Sequence, residues 1–285
     1  MRRASALLLS AALPAAALPL PALAQTWRTL TSSRQVHGEA ELAVDIRYAS
    51  GRFTLAAGEP GTLYRMELQY DEDRFTPIRS YDAATGSLQL GTRSRGPVRG
   101  GRSRGQPAPF LDVALTPAVP VALSIETGAA ASDLDLGSLS IRSLTMRTGA
   151  SETRLRFSVP NHEDCSLMRF QAGAAEFRAQ GLGNANCREL RFEGGVGEVE
   201  LDFSGEWLQS MDADIDLGIG ELTLYLPREV GVSVRINRFL TAFSSAGLVR
   251  RGNAYYSENW DRARTRLVLN VDATLGEVAV RWLDR

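Results

Sequence analysis

Seven segments of this chain repeat one two-part pattern, and that pattern leaves few folds open. Counted from a starting residue n, the positions n, n+2, n+4, n+9, n+11 and n+13 are apolar or small, the alternation of a β-strand on either side of a short break. The copies start at Val44, Leu123, Leu144, Met168, Leu190, Ala213 and Leu269. Their inward positions are aliphatic or aromatic except for Gly181, Gly194, Thr127, Ser132, Thr148 and Thr153, and none is charged. Most of the intervening outward positions are charged, among them Asp45, Arg47, Arg154, Arg156, Glu200 and Asp202. From Leu123 to Ala213 successive copies begin 21, 24, 22 and 23 residues apart, the length of one coil of a β-solenoid whose strands rest on the copies before and after. The expected fold is therefore all-β, a stacked-strand solenoid of about ten coils resembling a parallel β-helix, with little or no helix beyond the N-terminal segment.

The terminal copies should differ from the central ones, because the ends of a stack must be capped. Val232, Val234 and Ile236 read as a further strand, and the stretch "AYYSENWDRAR" before Leu269 as a loop or irregular coil. The glycines of "GGVGEVELDF" and "GIGELTLYL" pose a separate question, since a Gly-x-Gly turn can cradle phosphate. A phosphate loop needs a helix directly behind it, whereas both stretches run into alternating strands. Gly195, Gly197, Gly218 and Gly220 are thus expected to be corners that need positive φ or close backbone approach.

The first 24 residues place Arg2 and Arg3 before an Ala/Leu-rich run ending Ala22-Leu23-Ala24, the order of a secretory signal peptide cleaved after Ala24. Pro14, Pro19 and Pro21 interrupt that run, and no later one approaches the ~20 apolar residues of a membrane span. The expected mature protein is exported, periplasmic or at the cell surface, with no membrane span. It divides into an N-terminal β region, 25–122, continuous with a repeat solenoid and C-terminal cap, 123–285. The chain has 32 basic residues, all Arg, against 33 acidic ones, so no global charge draws it to nucleic acid and no Lys can serve as a nucleophile. Residues 93–109, "RSRGPVRGGRSRGQPAP", break the pattern: Arg93, Arg95, Arg99, Arg102 and Arg104 among Gly, Pro and Ser cannot bury apolar area. We expect an exposed disordered insertion; if it has a ligand, the candidate is an anionic envelope polymer.

Catalytic chemistry finds little support in the sequence. His37 and His162 stand far apart and no Gly-x-Ser-x-Gly occurs, while His162, Glu163 and Asp164 are consecutive turn residues that cannot readily converge on a metal. The sharper case is a carboxylate groove of the kind that hydrolyses polysaccharides, offered by Asp212, Asp214 and Asp216 and by Asp133 and Asp135. Placing the copies in register sets Asp133 and Asp135 beside Arg154 and Arg156, Glu126 beside Arg147, Arg178 beside Glu200 and Arg191 beside Asp214, which is ordinary charge pairing on an exposed sheet. No catalytic residue, metal or cofactor is assigned.

Cys165 and Cys187 both occupy position n−3 of consecutive copies. Coils stacked at ~4.8 Å bring such residues into the range of roughly 4.4 to 6.8 Å between Cα atoms that a disulfide requires, and an exported protein meets conditions in which the bond persists. A Cys165–Cys187 staple without redox function is expected.

The C-terminal third, "GIGELTLYLPREVGVSVRIN" followed by "AYYSENWDRARTRLVLNVDATLGEVAVRW", resembles the LiaF-like, toast-rack group of bacterial envelope proteins, and "AVDIRYASGRFTLAAG" is similar to that group's opening strands. The resemblance implies stacked β-strands, a place in the cell envelope, a link to envelope-stress signalling or adhesion, and no catalytic signature. The expected function is accordingly a non-catalytic binding or scaffold protein whose partner is an envelope protein or polysaccharide. Alternatives are a surface adhesin and a carbohydrate-active β-helix enzyme.

Overall fold

A computed structural model of the chain describes residues 26–96 and 108–283. The chain opens with β1 (Trp27–Gln35), the first repeat strand β2 (Leu42–Ala57), β3 (Thr62–Asp71), β4 (Phe75–Asp82), β5 (Ser87–Ser94) and β6 (Phe110–Leu115). The repeats continue as β7 (Val121–Asp135), β8 (Ile141–Arg156), β9 (Cys165–Gln180), β10 (Cys187–Asp202) and β11 (Met211–Leu226). Then come β12 (Gly231–Ser244), two short strands β13 (Val249–Arg251) and β14 (Ala254–Tyr256), and the last repeat β15 (Arg266–Trp282). The only helical turn among the described residues is 3-10, Leu182–Ala185, entered through left-handed Gly181.

Each copy forms one long strand bent at its middle, and the copies stack in parallel with their starting residues aligned. Val44 lies opposite Leu123, Leu123 opposite Leu144, Leu144 opposite Met168, Met168 opposite Leu190, Leu190 opposite Ala213 and Ala213 opposite Leu269. Alternation then dictates the interior, because a one-residue slip would turn every apolar side chain to solvent. The buried core runs the length of the stack; within it Phe170, Phe177 and Phe192 form a chain of rings with centroids 5.2 and 5.3 Å apart.

The ends depart from simple repetition. Beyond β2 the next rung is split: β5 pairs with Ala43–Arg47 and β6 with Arg52–Ala57. Antiparallel strands close that end, β4 on β5 and β3 on β6, with β1 outermost on β3. The described stack is thus eight full strands and one split rung, rather than about ten coils. The split also corrects the boundary of the Arg-rich insertion. Arg93 belongs to β5, opposite Thr76, because Leu88, Leu90 and Thr92 of that strand are buried and hold it in place. Arg95 is tied back by its backbone N–H to the Arg74 carbonyl and by Nε to Thr76. Arg99, Arg102 and Arg104, like residues 1–24, lie outside the described residues.

At the other end the order is β11, β15, β12, so the last repeat enters between its two predecessors. Composition explains the exchange. β15 offers apolar side chains at all six inward positions, whereas β12 carries exposed Arg238 where its neighbour carries Ala273. A strand with one charged inward position tolerates the edge better than a layer covered on both sides. Part of "AYYSENWDRAR" is not loop, since β14 pairs with Ser233 and Val234 of β12.

Cys165 and Cys187 pair directly in the ladder between β9 and β10 and are joined in a disulfide, their Cα atoms 4.2 Å apart. That is slightly closer than the expected range. Both are buried. The bond closes a 22-residue interval, so the Cys165→Ala/Cys187→Ala chain should lose about 3 kcal/mol of unfolding free energy while keeping its β-type circular dichroism. Urea unfolding of the oxidised protein and the variant measures this; equal midpoints would show that the bond constrains nothing.

Candidate binding surface at the corner of the stack

The bend in each strand falls at positions n+5 to n+8, where the inward and outward alternation is interrupted. Gly128, Gly149, Gly173, Gly195 and Gly218 form a column at n+5, and an added Cβ at Gly195 would sit 2.7 Å from the Gly173 carbonyl oxygen. Gly197, Gly220 and Gly276, two residues on, have φ of 149°, 145° and 134°, and a Cβ at Gly220 or Gly276 would overlap the backbone of the rung beneath. Both requirements expected of these corners are therefore present, and the chain continues beyond the glycines as strand, not helix, in β10 and β11.

A groove of about 920 Å³ runs across the strands from β7 to β12 over the n+5 positions, which lack side chains from β7 to β11 and carry Thr274 on β15 and Phe239 on β12. Along one wall stand the outward side chains of n+3. In ladder order these are Glu126, Arg147, Gln171, Glu193, Asp216, Asp272 and Asn237. Arg147 Nε donates to Gln171 at 2.7 Å and Gln171 Nε2 to Glu193 at 2.7 Å, while Asn237 Nδ2 donates to Asp272 at 2.8 Å. Asp216 stands between these two chains of bonds, without a hydrogen bond or ion pair among the described residues. Partial burial, then Asp272, Glu193 and Asp214, push its carboxyl pKa above the usual aspartate value.

On the far side of the glycines, at n+6, lies an apolar ridge. Ala129, Ala150 and Ala174 begin it, and it grows into Val196, Ile219, Leu275 and Leu240, aligned on four adjacent strands. These four are 54%, 47%, 43% and 63% exposed, and Phe239 beside the last is 79% exposed. Soluble surfaces scatter such residues singly; a contiguous row rimmed by charge marks an interaction surface. Beyond the ridge, at n+8, Glu152, Glu176, Glu198, Glu221 and Glu277 stack on successive strands. Glu152 is paired with Arg154 and Glu176 with Arg178, whereas Glu221 and Glu277 have no ion pair among the described residues. The C-terminal half of the corner is thus an aliphatic ridge between two carboxylate rows.

The residues singled out from sequence are distributed rather than gathered. His37 and His162 are exposed at separate places, His37 bonded to the Gln35 carbonyl. Asp212, Asp214 and Asp216 alternate along one outward face, with Asp214 accepting from Asn270 Nδ2 at 2.9 Å. Among the described residues no group of three His, Cys, Asp or Glu side chains could hold a metal ion, and no helix is long and apolar enough to cross a membrane. The expected charge register is present, yet the pairs often form differently. Arg156 reaches both Asp133 and Asp135 at 3.1 Å and Arg178 reaches Glu200 at 3.3 Å, but Arg154 and Arg191 turn to Glu152 and Glu189 on their own strands, and Arg147 to Gln171. An Arg side chain spans more than one strand spacing, so cross-strand and in-strand partners compete. The corner ridge lay outside the repeat template, which reads only the two straight arms; its signal in the sequence was a second apolar position, n+6.

Asp216 gives this surface a pH signature. Its folded pKa lies above the unfolded value, so ionisation weakens the folded state, and the penalty is relieved as pH falls from above the folded pKa toward the ordinary aspartate range. Asp216→Asn should therefore melt higher than the parent at neutral pH, with the difference vanishing in acid. Thermal melts across that range decide; a lower melt for Asp216→Asn at pH 7 would mean that the carboxylate is stabilising.

Comparisons with known proteins follow the fold. Residues 25–178 and 166–225 match the N-terminal domain of toast_rack, DUF2154. No curated protein matches the chain. Among solved structures, a candidate cell adhesion protein from Clostridium sporogenes is 15% identical, covers 90% of this chain and 100% of its own, and superposes with a TM-score of 0.47. A candidate adhesin from Bacteroides fragilis is 7% identical, covers 89% and 97%, and gives 0.38. With two thirds of its length matched by the family's domain, and with the stacked, bent strands just described, this chain belongs to the toast-rack family.

Proposed function

We propose that the protein is an exported, non-catalytic β-solenoid that acts as a binding or scaffold module in the cell envelope, using the corner of its stack as the recognition surface. The observation that carries this reading is the ridge of Val196, Ile219, Leu275 and Leu240, exposed in a row, the first three on strands hydrogen-bonded on both sides and Leu240 on the strand that flanks them. A rigid ladder presents such a row without an ordering cost when a partner arrives. Export is supported by the signal-like order of residues 1–24 and by a disulfide, a bond that persists outside the reducing cytosol. A part in envelope-stress sensing follows from the family resemblance alone. Arg93, Arg95, Arg99, Arg102 and Arg104 are proposed as a separate contact for an anionic envelope polymer.

The test pairs capture with turnover. Immobilised mature protein should retain a discrete component of an envelope extract that a Val196→Ser/Ile219→Ser/Leu275→Ser variant with an unchanged melt does not retain. Identical retention by both would remove the corner from the function. Hydrolysis of any member of a polysaccharide panel, abolished by Asp214→Ala, would replace the reading by an enzymatic one.

A further inference from the structure

The corner surface specifies more than an apolar contact. Carboxylates Glu193, Asp216 and Asp272 at n+3 line the groove, and aliphatics Val196, Ile219 and Leu275 at n+6 stand just past its edge, with Gly195, Gly218 and Thr274 at n+5 between the two rows. Three residues separate the rows, about 10 Å measured along the chain and less straight across the bend, a separation that one α-helix with its side chains can cover. Rungs repeat every ~4.8 Å along the stack, close to the 5.4 Å pitch of a helix, so over three rungs the two drift apart by only about 1 Å. An extended chain laid the same way repeats its side chains every ~6.6 Å and falls out of step with the rungs at once.

Resting on the reading of this surface as a binding site, we propose that its ligand is a cationic amphipathic α-helix, lying along the stack axis in this groove and against the ridge at its edge. Its Lys or Arg side chains, one per turn, face Glu193, Asp216 and Asp272, and its apolar face covers Val196, Ile219 and Leu275. Arg147 and Arg238 line the groove toward its two ends and Gln171 and Asn237 bond Glu193 and Asp272, whereas Asp216 between them has no hydrogen bond or ion pair among the described residues and is crowded by Asp272 and Glu193 on the neighbouring strands and by Asp214 on its own. A cation from outside relieves that crowding, and the unpaired Glu221 and Glu277 extend the same negative field to the other flank. The groove crosses seven strands, about 29 Å, which accommodates a helix of about 19 residues. Phe239, exposed at its β12 end, offers a further apolar contact.

Fluorescence anisotropy of the mature, oxidised protein with labelled 18-residue peptides tests this. The probe is an Arg/Leu peptide with Arg at i, i+4, i+7 and i+11. Its controls are the Glu-for-Arg peptide and an isomer of the same composition broken by two central Pro residues. The Arg/Leu helix should bind and weaken with added salt, and both controls should bind at least about tenfold more weakly. Glu193→Gln/Asp216→Asn/Asp272→Asn should weaken binding about tenfold and flatten the salt dependence, and Val196→Ser/Ile219→Ser/Leu275→Ser should weaken it as much without flattening it. Leu208→Ser, an exposed apolar position off the corner, should change nothing and controls for folding. Equal binding of the Pro-broken isomer would show that composition rather than a helix is read, and binding unaffected by either triple variant would place the peptide elsewhere; each overturns the proposal. Failure of the helix to bind while the envelope component is still lost by the ridge variant would overturn the helical ligand and leave the binding surface standing.

Discussion

Parallel pairing of like with like, rung upon rung, is the constraint on which everything else in this molecule depends. A parallel ladder hydrogen-bonds evenly along its length, but nothing in the bonds alone prevents a slip. Register is enforced by the two arms of each strand, whose inward residues would all turn to solvent if the strand moved by one. It is enforced again at the bend, where Gly220 and Gly276 lie so close to the backbone below that no side chain fits. Arms and corner agree, so each residue type at the corner is copied into a straight row.

That copying is what converts sequence into surface. A lone exposed valine at position 196 would mean nothing, but with Ile219, Leu275 and Leu240 aligned above it the same choice becomes a ridge. Carboxylates behave alike: Glu193, Asp216 and Asp272 are far apart in sequence and adjacent in space, and partial burial together with that crowding raises the Asp216 pKa. Elsewhere on the outward faces opposite charges are interleaved, as where Arg156 bridges Asp133 and Asp135, and there the stack gains register without a field. The corner of the last strands lacks that interleaving.

Much of this was legible before any coordinates. The alignment of starting residues needed only period-2 alternation and a recurring length, and the Cys165–Cys187 bond needed only that alignment. What escaped the sequence did so for physical reasons. Parallel rungs with the same inward pattern are locally interchangeable, so nothing in β15 alone announces that it slides between β11 and β12; the deciding residue, Arg238, penalises an interior place for β12. Arg93 looked like part of a loop because its neighbours are Gly, Ser and Arg, yet Leu88 and Leu90 earlier in the strand carry it into the sheet. Individual ion pairs were unreadable because arginine reaches alternative acids at similar cost. The ridge lies at the bend, where period-2 alternation gives no guidance about which residues face outward.

The order of the last three rungs and the alignment of the corner stand or fall together, and paired cysteines report both. Introduced at Ile219 and Leu275, which are ladder partners, cysteines should form a second disulfide on mild oxidation, detected by mass spectrometry beside the native bond. Introduced at Ile219 and Leu240, two rungs apart, they should remain free thiols. Ready crosslinking of the second pair and not the first would mean that the rungs stack in chain order, and the ridge as described would not exist.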